Sequence, residues 1–363
     1  MKLNPCLFLL LFLFLISCKK DNGDDPDDPV VVDFFDLTIN NIHFTAQKDA
    51  SLVVVKTNAR WTAACDADWI ELSASEGDES TGFLIGASSN NYFPRECVIN
   101  ISSDGKTKEI QVHQDGVSSI KLEINGISFS FLPVYADTSF YLDGDTYLAT
   151  RRVYLDSYFI SETEITNAQW NAVTGDLPYD DENSGPQLPV VVNWNSVSND
   201  FIPKINSLSE YKFRLPTENE WEVAARGGLK DINASFAGSM YIDSVAWHFN
   251  NSEGRKHPVA MKLPNELGLY DMSGNVSEWC SDWYLEWTEA NRPPAESTNP
   301  TGPETGTDKV IRGGDFGAER FQYDRNNCRV SSRNFLLPGI DTEDFLYEGY
   351  RHFTGFRLVI DKN

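Results

Sequence analysis

Asp271 and Glu278 stand seven residues apart in "YDMSGNVSEW", on either side of Gly274 and Asn275. Glycine and asparagine accept the left-handed backbone that a sharp turn needs. A chain doubled back there could aim both carboxylates, together with the carbonyls between them, at one point. Calcium takes such an all-oxygen cage. The spacing is not that of an EF-hand, and the same residues also read as a tight turn with solvated acids. The second chemistry-bearing stretch is "RNNCRVSSR", which sets Cys328 among arginines. A thiol there could be catalytic, half of a disulfide, or packing. Cys280, in "SEWCSDWY", is the only other cysteine beyond residue 117, while Cys65 and Cys97 lie upstream and could bridge two strands.

The elements that must position these groups are sparse. "TNAQWNAVTG" carries a capping box, with Thr166 at the N-cap, Gln169 three residues on and Gly175 as the stop. "TENEWEVAARGG" repeats the device with Thr217, Glu220 and Gly227. Between them "SVSNDFIPKINSL" reads as a helix in which Pro203 is tolerable only near the first turn. Beyond Gly228 the chain is dense in Gly, Asn, Pro and aromatics without sustained period, so its loops must pack their own side chains, and bound ions help such loops. Upstream, 33–116 alternates in short β-rich runs split by Asp, Gly, Asn and Ser, the pattern of an all-β sandwich. "SSDGKT" within it predicts a tight hairpin.

The chain opens with "MKLNPCLFLLLFLFLISC", an early lysine, a short apolar run and Ser17 before Cys18. Those are the parts of a secretory signal over 1–17. Leu-Ile-Ser-Cys resembles a bacterial lipobox, which makes Cys18 the expected lipidation site. The following "KKDNGDDPDDP" has five Asp and two Pro, and 18–32 is expected to be a disordered acidic tether. Its acidity beside the lipid resembles the export signals of Bacteroidetes surface lipoproteins, so the expected location is the outer membrane, on its surface or periplasmic face, with the membrane as a partner through the anchor. A formal charge of −24 excludes the basic footprint that nucleic-acid binding needs.

Two resemblances extend this reading. "ARWTAACDADWIEL" and "SSNNYFPRECVINISSDGKTKEIQVHQDG" resemble the BACON domain, an immunoglobulin-like module whose name implies carbohydrate binding, although many members act as spacers. "ETEITNAQW", "LPVVVNWNSV", "RLPTENEWEVAARGG", "PNELGLYDMSGNVSEWCSDWY", "TNPTGPETGTDKVIRGGDF", "CRVSSR" and "GFRLV" occur in the order of the formylglycine-generating enzyme (sulfatase-modifying factor) family. The fold class expected is therefore multidomain: an all-β sandwich over 33–116, then an irregular α+β C-type-lectin-like domain over 117–363. The second resemblance implies structural calcium held by Asp271, Glu278 and the carbonyls of Gly274 and Val276.

Members of that family oxidise a sulfatase cysteine to formylglycine with copper(I) held by two cysteines, and soft copper(I) needs those thiolates. With "RVSSR" and Pro338 in register, Arg325 and Val330 occupy the two cysteine positions. Copper is therefore not expected, no catalytic residue is assigned, and Cys328 is left as a minor candidate. By the same resemblance the Cys280 segment lies deep in the fold, and a Cys280–Cys328 disulfide is the leading expectation, ahead of buried thiols. Iron is not expected either, since His43, His113, His248, His257 and His352 lack the ligand spacing of the iron-binding relatives. Arg312, Arg329, Arg333 and Arg357 read as structural cations pairing with this acidic chain, since arginine suits buried pairs, or as the lining of a groove for an acidic or carboxylate-bearing ligand. The function expected is a calcium-stabilised envelope protein that binds a peptide or glycan or serves as a scaffold; an oxidoreductase of sulfatase maturation with a non-standard site is the alternative.

Overall fold

The computed structural model describes residues 34–136, 138–142, 151–177, 185–288, 290–291, 293–317, 328–340, 346–347, 350–351 and 353–361. The signal segment 1–17, the tether with Cys18, Arg325 and His352 lie outside the described residues.

The N-terminal domain is a two-sheet sandwich. One sheet orders Phe35–Leu37, Asp49–Thr57, Thr81–Ala87 and Ile70–Leu72; the other orders Asn41–Phe44, Lys106–Gln114, Arg95–Ser103, Trp61–Ala64 and Glu76–Gly77. Alternation along each strand turns Val53, Val55, Ile85, Ile99, Ile101, Ile110 and Val112 inward. Trp61 is fully buried among them and stacks on Phe83 with ring centres 5.2 Å apart. Trp69 is half-buried, with the Arg95 guanidinium 4.5 Å above its ring. Trp61 thus works in the core and offers no face to a sugar. The expected hairpin is present: Asp104 (φ 49°) and Gly105 (φ 71°) join strands paired from Arg95↔Gln114 to Ser103↔Lys106.

The second domain is built on a sheet ordered Ile120–Ile124, Ile127–Val134, Tyr158–Ser161, Val359–Asp361 and Phe213–Arg214. The C-terminal strand is thus laced between segments more than a hundred residues upstream. A second sheet orders Asn334–Leu336, Lys309–Arg312, Ser277–Trp283 and Thr354–Gly355. Phe93, from the sandwich, packs against Phe159 at 4.5 Å and joins the core of this domain.

Both capping boxes form. Thr166 Oγ1 accepts from Gln169 N at 3.2 Å while Gln169 Oε1 accepts from Thr166 N at 3.0 Å, and Gly175 closes the helix Asn167–Thr174 at φ 93°. Thr217 and Glu220 do the same for Glu218–Ala225. Pro203 sits in the first turn of the helix Ile202–Leu208, as expected, although helical backbone reaches back to Trp194, capped by Asn193. A π-turn over Val197–Phe201, closed by Ile202 N to Val197 O, precedes the proline. The wider turn shifts the carbonyls that the pyrrolidine ring would otherwise strike.

Candidate functional site

The loop 271–276 doubles back through three left-handed residues, Asp271 (φ 55°), Gly274 (φ 77°) and Asn275 (φ 61°). A Cβ at Gly274 would lie 2.3 Å from the Trp247 carbonyl, so no other residue fits. Asn275 N donates to that carbonyl at 2.9 Å. The Asn275 side chain bridges two segments, accepting from His257 N and donating to Glu164 Oε2 at 2.8 Å. Glu164 Oε1 accepts from Val276 N at 3.0 Å. This fully buried glutamate was not singled out in the sequence; it sits two residues before the capping Thr166.

Asp271 and Glu278 both point into the protein, and neither is a solvated acid. Their surroundings differ. Glu278 meets Arg357 at two points, Oε2 with Nε at 2.6 Å and Oε1 with Nη2 at 2.7 Å, and also accepts from Trp221 Nε1 at 2.6 Å. Arg357 spends its remaining donors on the carbonyls of Ser161 and Tyr270, each at 2.9 Å. Asp271 Oδ2 accepts from Ala260 N at 2.7 Å, while Asp271 Oδ1 is buried without a hydrogen-bond partner. Burial pushes the Asp271 carboxyl up to about 6. Burial, then the charges of Asp271 and Glu278, raises Glu164 well above the usual range.

Three buried carboxylates therefore share one arginine. A divalent cation would relieve that imbalance and satisfy the orphaned Asp271 oxygen. The donor chemistry fits calcium through Asp271, less so through Glu278, whose carboxylate is already engaged by Arg357 and Trp221.

Three of the four arginines pair with buried acids. Arg312 is buried and pairs with Glu222 at 2.7 Å, and it also donates to the carbonyls of Val330 and Ser332. Arg333 grips Glu218 at 2.5 and 2.8 Å. Arg357 holds Glu278. Arg329 is exposed, 5.7 Å from the Phe236 ring. Against the upward pull of burial, Arg333 and then Arg312 hold the Glu218 carboxyl down to about 2.

Val330 fills its position as a core residue, 2% exposed among Trp221, Met272 and Cys280. A valine supplies no sulfur and could hold no copper(I). Cys280 and Cys328 are both 0% exposed. The expected bridge between them is not formed: the structure holds both as thiols, Cys280 in the apolar cluster around Trp221 and Cys328 in a separate one with Phe236, Val245 and Ala246. Burial drives the Cys280 thiol well above its ordinary range, away from the thiolate that metal binding or attack requires. Cys65 and Cys97 are in contact, Sγ to Sγ 3.7 Å, also as thiols.

The family model for the sulfatase-modifying factor enzyme 1-like domain matches residues 133–362. The chain belongs to this family. A second family model, BACON, described as a putative N-terminal binding domain, matches 59–115. Among family relatives, the formylglycine-generating enzyme of Thermomonospora curvata is 32% identical over 210 residues, 54% of this chain and 63% of that protein. The chaperone protein LppX of Paenibacillus barcinonensis is 32% identical over 184 residues, 37% of this chain and 65% of that one. The chain thus spans just under two thirds of the length of these curated relatives. Among solved structures, variable protein 1 of Treponema denticola superposes with a TM-score of 0.55 at 26% identity, covering 68% of this chain and all of that one. The family's C-type-lectin-like fold is therefore carried by proteins bearing enzyme, chaperone and variable-protein names alike.

Proposed function

We propose that this is a cell-envelope lipoprotein, anchored through Cys18, whose sulfatase-modifying-factor-like domain is a calcium-stabilised binding module and not a copper oxidase. The observation that supports the reading is burial: Val330, which the family register sets at a copper-cysteine position, is an apolar core side chain, and Cys280 and Cys328 are sealed in apolar clusters. Calcium would be held by Asp271, with the carbonyls of Gly274 and Val276, and would supply the missing positive charge among Glu164, Asp271 and Glu278.

Asp271 also tethers a surface. Ala260 N, which it accepts, leads into Met261 and Leu263, 62% and 63% exposed. Leu263 N bonds the Ser244 carbonyl, which brings this segment beside Met240 and Tyr241, 61% and 77% exposed. Flexible methionines and an open tyrosine suit an apolar or aromatic peptide better than a sugar. A cation at Asp271 would fix the loop that carries them.

The test is a peptide array and a glycan array probed with the full chain in calcium and in chelator. Peptide binders lost on chelation, and lost in Leu263→Asp, support the reading. No binder on either array would leave a purely structural part of an envelope assembly.

A further inference from the structure

Outside the large domain, the sandwich carries a cluster that neither the calcium reading nor the family likeness uses. The strands Asn41–Phe44 and Lys106–Gln114 run parallel in a register that sets His43 beside His113. Their alternating neighbours Ile42, Phe44, Val112 and Gln114 face the core, so both imidazoles stand on the outer face of a rigid sheet. Asp115, two residues after His113, lies toward the same side. Glu96 pairs with His113 from the other flanking strand.

The atoms converge. Asp115 Oδ1 lies 2.8 Å from His43 Nε2 and 3.4 Å from His113 Nε2. One ligand atom from each of the three residues falls within 4.8 Å of the others. A tetrahedral ion with bonds of 2.0–2.1 Å spaces its ligands about 3.3 Å apart, close to both separations. Glu96 Oε1 lies 3.0 Å from His113 Nδ1. A carboxylate only accepts, so Glu96 can hold the Nδ1 proton when a metal ion occupies Nε2. That carboxylate–histidine arrangement is the support that metal-bound imidazoles use.

We propose that His43, His113 and Asp115 form a site for a divalent transition-metal ion of the zinc type, with Glu96 orienting His113. Two imidazoles and one carboxylate suit zinc or copper(II) and are a poor match for calcium, which wants oxygen donors. The ion would take the place of the proton that His43 and Asp115 now share. The four side chains range from 36% to 77% exposed, so the site is open and its remaining positions are left to water or to a ligand from another molecule.

The experiment is a titration of the metal-free full chain with Zn2+ in competition with a chromophoric chelator, in excess calcium so that oxygen-donor sites are filled. Cys97→Ser is run in parallel, because the Cys65–Cys97 thiols also attract zinc. One equivalent bound by both wild type and Cys97→Ser is expected. His43→Gln and His113→Gln should each weaken it at least tenfold, and Glu96→Gln about tenfold through loss of the orienting contact. Melting curves without zinc check that these exposed substitutions leave the fold intact. Affinity unchanged in the His43→Gln/His113→Gln double variant, no stoichiometric zinc at all, or binding that disappears in Cys97→Ser would each overturn the assignment.

Discussion

Arg357 and Glu278 form a two-point ion pair at 2.6 and 2.7 Å with both side chains fully buried, one on the segment before the C-terminal strand and one on the strand Ser277–Trp283. Removing one partner strands the other's charge in the interior. Arg357→Met is expected to destabilise the large domain by about 3–5 kcal/mol, since a lone buried charge costs that much. Pairing it with Glu278→Gln should recover part of the loss. Urea unfolding of the single and double variants checks this; equal effects of the single and double changes would mean the pair is not the unit.

Calcium is expected to act through Asp271. Chelator should lower the melting temperature of the large-domain transition, and Asp271→Asn should abolish that sensitivity. Glu278 is the poorer probe because its loss also orphans Arg357. Superimposed melting curves with and without chelator would end the calcium proposal.

Asp282 predicts a pH dependence of the opposite sign to Glu218. Burial first, and then the charge of Glu218, pushes the Asp282 carboxyl up to about 7, although it accepts from Glu218 N at 2.9 Å. A folded value above the unfolded one, near 3.8, means the folded state holds the proton more tightly. Its contribution is therefore full below that unfolded value and is lost as pH rises through about 7. Glu218, held down to about 2, contributes above its unfolded value near 4.5 and loses that contribution as pH falls. Asp282→Asn should raise the melting temperature at pH 8 by a few degrees and flatten the decline between pH 4 and 7. A parallel shift at all pH values would show that the carboxyl does not titrate there.

Thiol accessibility separates the four cysteines. Cys280 and Cys328 should resist alkylation until the domain unfolds. Cys65 and Cys97, half-exposed and 3.7 Å apart, should react in the native state or be found oxidised to each other. Mass spectrometry under non-reducing conditions reads both outcomes. Native alkylation of Cys328 alone would revive a thiol mechanism.

What the sequence made legible was local. The boxes at Thr166 and Thr217 and the Asp104–Gly105 hairpin are written within a few residues, and each formed as read. The loop at Gly274 was legible as a turn, but not as a buried one. Its partners are remote: Glu164 meets Val276 across 112 residues, and Arg357 meets Glu278 across 79. No periodicity records such pairs. Pro203 falls in a first helical turn as read, but the π-turn before it leaves no signature in residue type. The His43–His113 pair was passed over for a similar reason, since strand register joins residues 70 apart in sequence.

The most direct test of the central claim is oxygen uptake with a cysteine-containing peptide after loading with copper(I), with retained copper measured on the same sample. No uptake above a protein-free control is predicted, and no copper beyond what the Cys65–Cys97 thiols and the His43–His113 cluster of the sandwich retain. Copper held one to one, with uptake that Cys328→Ser abolishes, would contradict the binding-module reading and place the chain among the oxidases.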